Sequence, residues 1–146
     1  MSQWTHVTGT IYLYSWIELE DSVSKFMVSN FDLIPRGSEG PIEYFFNSGD
    51  RITASCGRDS YIKGTGAITF IGDLRDMSEV EFCEGLDEFL KKVFDELPIR
   101  DLTIMIKDEW RPTYKHYYMY GDELRIEEIK QRTHPREPNS SASVGE

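Results

Sequence analysis

The sequence predicts an α+β fold, a two-layer sandwich in which a mainly antiparallel sheet of six to seven strands carries one long helix, about 79–97, on one face. Short segments with alternating apolar and polar residues recur along the chain, and most follow one another through short glycine-containing turns. One segment near the middle instead repeats its apolar residues every three or four positions, as an amphipathic helix does. The length of 146 residues fits one domain.

The N-terminal third of the chain is predicted to hold a strand, a short helix and a loop. Residues 4–14 alternate and are rich in Thr, Val, Ile and Tyr, which predicts a half-buried strand. Residues 18–30 are compatible with a short helix that Ser22 would cap. The segment 35–41 contains two prolines and two glycines, and it is therefore predicted to be a loop.

The next segments predict a hairpin followed by a buried strand. Residues 42–47 and 51–56 are strand-like, and Ser48-Gly49-Asp50 between them is suited to a tight turn. Residues 67–71 are almost wholly apolar and predict a more buried strand that ends at Gly72.

The long helix has the clearest signals. Ser78 and Glu81 have the spacing of a capping box, in which each side chain accepts a hydrogen bond from the other residue's free backbone amide. The helix is predicted to end at Pro98. The apolar positions that form one stripe are Phe82, Cys83, Leu86, Phe89, Leu90, Val93, Phe94 and Leu97.

Three strands are predicted after this helix. They cover residues 99–107, 114–120 and 123–129, and the last two are joined by Gly121-Asp122 as a second hairpin. Short turns favour antiparallel pairing, although the strand-helix-strand unit over 67–107 leaves one parallel pair open.

The composition predicts a soluble protein with reduced cysteines. Residues 1–130 are assigned to a single domain, and residues 131–146, rich in Pro, Ser and charge, to a disordered tail. Cys56 and Cys83 are too few for a disulfide scaffold, and Cys83 belongs to the helix stripe. Since neither a secretory signal nor a membrane-spanning stretch is recognisable, we expect a cytoplasmic protein without membrane contact.

The charge is concentrated in one part of the chain. The net charge is −10, and residues 73–109 contribute −7 through twelve acidic and five basic residues. This excess disfavours nucleic acid as a partner. It is compatible with a solvated helix face or with a docking surface for a basic protein. The candidate partner-binding acids on the helix are Glu84, Asp87, Glu88 and Asp95.

A tyrosine-rich strand offers a second candidate surface. Tyr114, His116, Tyr118 and Tyr120 fall on one face of the predicted strand. Such a row is typical of a sheet face covered by a helix or of a protein interface, and it can also stack nucleic-acid bases. Tyr118 and Tyr120 are the candidate partner contacts, and a homo-oligomer is compatible with the sequence.

Other residues suggest small ligands or a metal. Two glycine-containing loops hold Arg36, Arg58 and Lys63, which could bind a small anionic ligand such as a nucleotide. Asp73 and Asp76 could contribute oxygen ligands to a divalent cation. The sequence shows no catalytic set of nucleophile, base and orienting group, and it implies no cofactor.

Three fragments carry a resemblance to known proteins. Trp4-Thr5-His6-Val7, Pro35-Arg36-Gly37-Ser38-Glu39-Gly40 and Gly72-Asp73-Leu74-Arg75-Asp76 resemble segments of small accessory proteins encoded in tailed phages and prophages. The resemblance covers about residues 4–110 and brings no catalytic signature with it. It implies a phage product located in the cytoplasm of a bacterial host, where such proteins often inhibit or sequester components of bacterial defence.

We therefore expect a non-catalytic, acidic interaction protein that binds a host protein, as an anti-defence or host-takeover inhibitor. One alternative is a sponge that sequesters a nucleotide-type signal in the glycine loops around Arg36, Arg58 and Lys63. A second alternative is a small metal-dependent hydrolase that would use Asp73 and Asp76.

Overall fold

The computed structural model describes residues 2–14, 19–40, 42–47 and 66–130. These residues form six strands, two α-helices and one 3₁₀ turn. Their bounds, in chain order, are β1 (Trp4–Leu13), α1 (Leu19–Asn30), the 3₁₀ turn (Phe31–Leu33), β2 (Glu43–Asn47), β3 (Gly66–Arg75), α2 (Glu79–Glu96), β4 (Ile99–Asp108), β5 (Thr113–Tyr120) and β6 (Glu123–Lys130).

The six strands form one sheet in the order β2-β3-β1-β4-β5-β6, and every pair is antiparallel. The α+β class with a long helix on a mainly antiparallel sheet is thereby confirmed. A parallel pair within residues 67–107 is not formed, because β1 lies between β3 and β4 and pairs with both. The described elements from β1 to β4 follow the β-α-β-β-α-β order of split β-α-β, or ferredoxin-like, domains.

The helices cover one face of this sheet, and no described element covers the other, which we call the open face. Thr5, Val7, Ile11 and Leu13 of β1 are buried under the helices, as the alternation of residues 4–14 predicts. Gly9 lies in the same row, where an added Cβ would stand 2.6 Å from Ile104 Cγ1. A side chain at this position would therefore collide with β4.

α2 follows its sequence signals closely. Ser78 accepts a hydrogen bond from the Glu81 amide at 3.2 Å, and the reciprocal contact of the capping box is also present. The apolar stripe is buried except for Phe94, whose exposure is 38%. Phe89 lies at the centre of the helix layer, with its ring 5.6 Å from the ring of Phe26 and 6.0 Å from that of Phe70.

Two predicted boundaries are wrong. α1 begins at Leu19, so Ser22 lies inside the helix and does not cap it. β3 does not end at Gly72 but continues to Arg75, because Gly72 keeps its place in the ladder opposite Val7. An added Cβ on Gly72 would stand 2.9 Å from Ile42 Cγ1, so the missing side chain leaves room for the chain that precedes β2.

The second predicted hairpin is present, and part of the first lies outside the described residues. β5 and β6 are joined at Gly121, whose φ of +66° is the left-handed conformation that such a turn needs. β2 pairs with β3, while the predicted strand over 51–56 falls outside the residues that the structure describes. The predicted tail over 131–146 also lies outside them.

Candidate functional site

The side chains that the sequence marks for partner binding lie on opposite sides of the sheet. α2 carries the four acidic candidates, all exposed on the helix side: Glu84, Asp87, Glu88 and Asp95. Tyr118 and Tyr120 lie on the open face, because Tyr117 and Met119 point toward the core and alternate residues of a strand face opposite ways. The two groups therefore belong to two separate surfaces, and the helix does not cover the tyrosine row.

A groove of about 600 Å³ runs between the C-terminal half of α2 and β6. We call it the acidic groove, and its lining residues are Asp87, Leu90, Lys91, Phe94, Asp95, Leu124 and Ile126. Phe94 and Ile126 are its exposed apolar residues, at 38% and 49%. Of the four acidic candidates, Asp87 and Asp95 line the groove, whereas Glu84 and Glu88 lie outside it.

The groove exists because β6 extends the sheet past the edge of α2. Leu124 and Ile126 occupy the helix side of β6, opposite Met119 and Tyr117 of β5. The buried Tyr117 hydroxyl donates a 2.9 Å hydrogen bond to Asp87 Oδ1, which fixes this carboxylate on the rim. Burial raises the pKa of Tyr117, so the phenol remains a donor at neutral pH.

The C-terminal end of α2 is unusually negative. The last carbonyl groups of a helix carry partial negative charge, which Lys or Arg in the last turn usually balances. The last turn of α2 holds no basic residue and instead contains Asp95 and Glu96. Lys91 is the cation in the groove lining, and its Nζ lies 3.7 Å from Glu88 Oε2 in an exposed pair.

The open face has an uncharged centre. Thr8 of β1 lies directly between Ile71 of β3 and Met105 of β4, and Thr10 lies between Thr69 and Thr103. Two of these side chains are large apolar groups with high exposure, namely Ile71 at 56% and Met105 at 40%.

Aromatic side chains extend this face at both sides. Phe45 on β2 is 60% exposed and lies opposite Thr69. Tyr118 lies opposite Thr103, and its hydroxyl donates to Glu127 Oε2 at 3.1 Å. Tyr120 is 64% exposed, and the guanidinium carbon of Arg125 lies 4.1 Å from the centre of its ring.

His6 joins three segments of the chain at one end of the open face. Its Nδ1 lies 2.5 Å from Asp73 Oδ1 and its Nε2 lies 2.5 Å from Glu109 Oε2. Hydrogen bonds to Asp73 and Glu109 raise the pKa of His6, because a ring that donates from both nitrogens is the protonated form. Both nitrogens are occupied, so the arrangement fits a structural clamp better than a general base.

The first glycine loop packs against β3. The Ser38 amide donates to the Arg75 carbonyl at 2.9 Å, and the Arg75 amide donates to the Glu39 carbonyl at 3.1 Å. Gly37 touches the backbone of Arg75 so closely that an added Cβ would collide with it. Arg36 is exposed beside this loop. The other two anion-binding candidates, Arg58 and Lys63, lie outside the described residues, as does Cys56.

The two aspartates proposed as metal ligands are held by different partners. Asp73 accepts from His6, whereas Asp76, at a positive φ of 59°, accepts from the Ser38 hydroxyl at 2.7 Å. Within the described part of the chain, no three His, Cys, Asp or Glu side chains are arranged to hold a metal ion.

One carboxyl group is buried although no pattern in the sequence indicates it. The Glu79 side chain is 1% exposed, and neither of its oxygens accepts a hydrogen bond from the described part of the chain, although Arg111 Nη1 lies 3.6 Å from Oε1. Burial raises the pKa of Glu79. An acid just after an N-cap is usually exposed, so the sequence alone could not distinguish Glu79 from its neighbours on α2.

The groove residues that sequence patterns missed are Phe94, Leu124 and Ile126. Phe94 has the sequence spacing of the buried stripe, and its exposure results from the position of α2 relative to β6.

None of the helices among the described residues is long and apolar enough to span a membrane. Comparisons with protein-family models, with curated proteins and with solved structures found no match for this chain.

Proposed function

We propose that this protein is a non-catalytic interaction protein that binds a basic, amphipathic segment of a partner protein in the acidic groove. The observation that carries the proposal is the combination of exposed apolar side chains and carboxylates in one groove. Phe94 and Ile126 offer the apolar contact, and Asp87 and Asp95 flank it.

The two kinds of side chain would have different roles in binding. Apolar contact in the floor of the groove contributes most of the affinity, since it removes Phe94 and Ile126 from water. The carboxylates on the rim select a basic segment and speed its association. Glu84 and Glu88 lie outside the groove on the same helix and would add to this long-range attraction.

The charges in the C-terminal turn of α2 favour the binding of a cation there. They argue against the alternative that this face of the helix contacts only solvent. Asp95 and Glu96 add to the negative end of the helix, which is unfavourable for the isolated helix. A Lys or Arg side chain from a partner would relieve this repulsion on binding. The resemblance to phage accessory proteins points to a host protein as the source of that segment, which the bound protein would inhibit.

The test uses two synthetic peptides with the same apolar face. One is an amphipathic peptide of Lys and Leu, and the other has Glu in place of Lys. We expect the basic peptide to bind in a fluorescence-anisotropy titration and the acidic peptide not to bind. Raising the salt from about 0.05 M to about 0.5 M should weaken binding roughly tenfold, because exposed charges are screened.

The structure offers a matched pair of variants for this titration. Ile126→Ser removes an exposed apolar side chain from the groove, and Ile71→Ser removes a similarly exposed isoleucine from the open face. We expect Ile126→Ser to weaken peptide binding roughly tenfold, since losing a contact of about 1.4 kcal/mol has this effect, and Ile71→Ser to leave it unchanged. Equal binding of both peptides, or wild-type affinity in Ile126→Ser, would contradict the proposal.

A further inference from the structure

The open face of the sheet is a second interaction surface with a different character. Its centre is formed by threonines together with two exposed apolar side chains: Thr8, Thr10, Thr69, Thr103, Ile71 and Met105. We call these residues the open-face patch. The patch holds no charged side chain, although the whole chain has a net charge of −10.

We propose that a second copy of this chain covers the open-face patch, sheet against sheet. In a two-fold dimer, both copies contribute the same surface patch to the interface. A patch that carried charges of one sign would therefore repel its counterpart on the other copy. The uncharged patch avoids this repulsion. The exposed acidic face of α2, on the other side of the molecule, does not.

Several charges around the patch are paired within one chain. His6 holds Asp73 and Glu109, and Arg75 Nη1 lies 2.5 Å from Glu39 Oε2. Near the other edge, Arg125 Nη2 lies 3.3 Å from Glu123 Oε1. Glu43 of β2, directly opposite Ile71, adds a charged residue to this rim. An uncharged centre within a polar rim is the usual composition of a protein interface.

The size of the face also suits a dimer. Strands lie about 4.8 Å apart and each residue adds about 3.3 Å, so the six-stranded face covers on the order of 700 Å². Stable interfaces bury roughly 600–1,000 Å² on each partner. Threonine methyl groups and β-branched side chains form the flat surface that allows two sheets to pack about 10 Å apart.

A single-stranded nucleic acid is the competing occupant, because Phe45 and Tyr120 are exposed enough to stack bases. Such binding also needs cations that are free to contact phosphates. In the described part of this face, His6 and Arg75 are engaged with carboxylates. Lys107 Nζ donates to the backbone carbonyls of Asp108 and Arg111. A second copy of the chain therefore fits the open-face patch better than a single-stranded nucleic acid does.

The experiment is sedimentation velocity of the full chain across about 5–500 µM protein, a range that spans the affinities of weak to moderate dimers. We expect the mass to rise with concentration from 17.0 kDa toward twice that value. Ile71→Glu and Met105→Glu should each raise the dimer dissociation constant at least about tenfold, because a carboxylate would be buried in the interface, and at position 71 it would also stand beside the like charge of Glu43. Ile126→Glu, on the helix side, is the matched control and should dimerise as the wild type does.

Several outcomes would overturn this inference. A wild-type chain that stays monomeric up to the highest concentration has no such interface. A dimer that survives both Ile71→Glu and Met105→Glu, with each variant folded by near-UV circular dichroism, uses another surface. Binding of a monomer to a thymidine oligonucleotide of about 20 nucleotides, lost in Ile71→Glu but kept in Ile126→Glu, would assign the face to nucleic acid. None of these results depends on the acidic groove.

Discussion

At the residue scale, the clamp around His6 shows how tertiary structure changes a side chain's chemistry. His6 is one of three histidines in the sequence, and its place on the outward face of β1 follows from simple alternation. Its two partners come from distant points of the chain, Asp73 on β3 and Glu109 just after β4. The clamp therefore ties the central strand to both of its neighbours.

The clamp should make stability depend on pH in a defined direction. Because the pKa of His6 is raised on folding, its contribution to the free energy of unfolding is fully present below the unfolded pKa near 6.5. It is lost as the pH rises through the higher pKa of the folded state. We expect the coupling energy between His6→Gln and Asp73→Asn, from urea unfolding, to be larger at about pH 5.5 than at about pH 8.5, and at most about 1 kcal/mol for so exposed a pair.

A second double-mutant cycle provides the control for this measurement. His6→Gln combined with Glu43→Gln pairs the same histidine with a carboxylate on β2 that accepts no hydrogen bond from it. The coupling in this cycle should be near zero at both pH values. A His6–Asp73 coupling that is the same at both pH values would show that the ring is not held in its protonated form.

At the element scale, α2 combines favourable and unfavourable helix ends. Its N-terminus has a complete capping box, with Glu79 and Glu81 in the first turn where the helix dipole favours acids. Its C-terminus has acids where bases are preferred, and these acids lie beside the acidic groove. A helix that departs from local rules at one end, next to a groove, is consistent with a functional constraint there.

Asp95→Lys should therefore change stability and binding in opposite directions. We expect it to raise the free energy of unfolding by about 0.3–1 kcal/mol, because a cation in the last turn balances the helix dipole. The same variant should weaken binding of the basic peptide. Glu84→Lys, which lies on the same helix but outside the groove, should affect binding less. If Asp95→Lys is stabilised and still binds the basic peptide as tightly as the wild type does, the acidic face of α2 contacts only solvent.

At the scale of the whole molecule, the strand order creates a gradient of stability across the sheet. β1 is bonded to β3 on one side and to β4 on the other, and its inward residues belong to the core. β6 is bonded to β5 alone among the described strands, and most of its residues are exposed. Local opening should therefore begin at β6.

Hydrogen exchange can measure this gradient. We expect the bonded amides of β1 to exchange only on global unfolding, and those of β6 to exchange at least about tenfold faster through local opening. The measurement is amide exchange followed by NMR at a protein concentration at which sedimentation shows a monomer. If the amides of β1 and β6 were equally protected from exchange, there would be no gradient of stability across the sheet. Such a result would indicate that another segment or molecule covers the free edge of β6.

Much of the fold followed from local patterns. Alternation located β1, β4, β5 and β6, and the capping box with its apolar stripe located α2, because these signals depend on residues close together in sequence. The predicted end of β3 at Gly72 is wrong, because glycine often ends a strand, whereas here its missing side chain leaves room for Ile42. The order of strands also escaped prediction, since β1 pairs with residues that lie far along the chain.

The sequence by itself determined the α+β class, the capped helix, the acidic excess of residues 73–109 and the division of β5 into a tyrosine row and an opposite row. Tertiary structure alone decided which faces remain uncovered. Phe94 and Ile126 meet across a groove, and Ile71 and Met105 flank Thr8 on an open sheet, although each pair is distant in sequence. Periodicity specifies that a side chain lies on a given face of its own element. What that face meets depends on long-range strand pairing and on where α2 ends relative to β6.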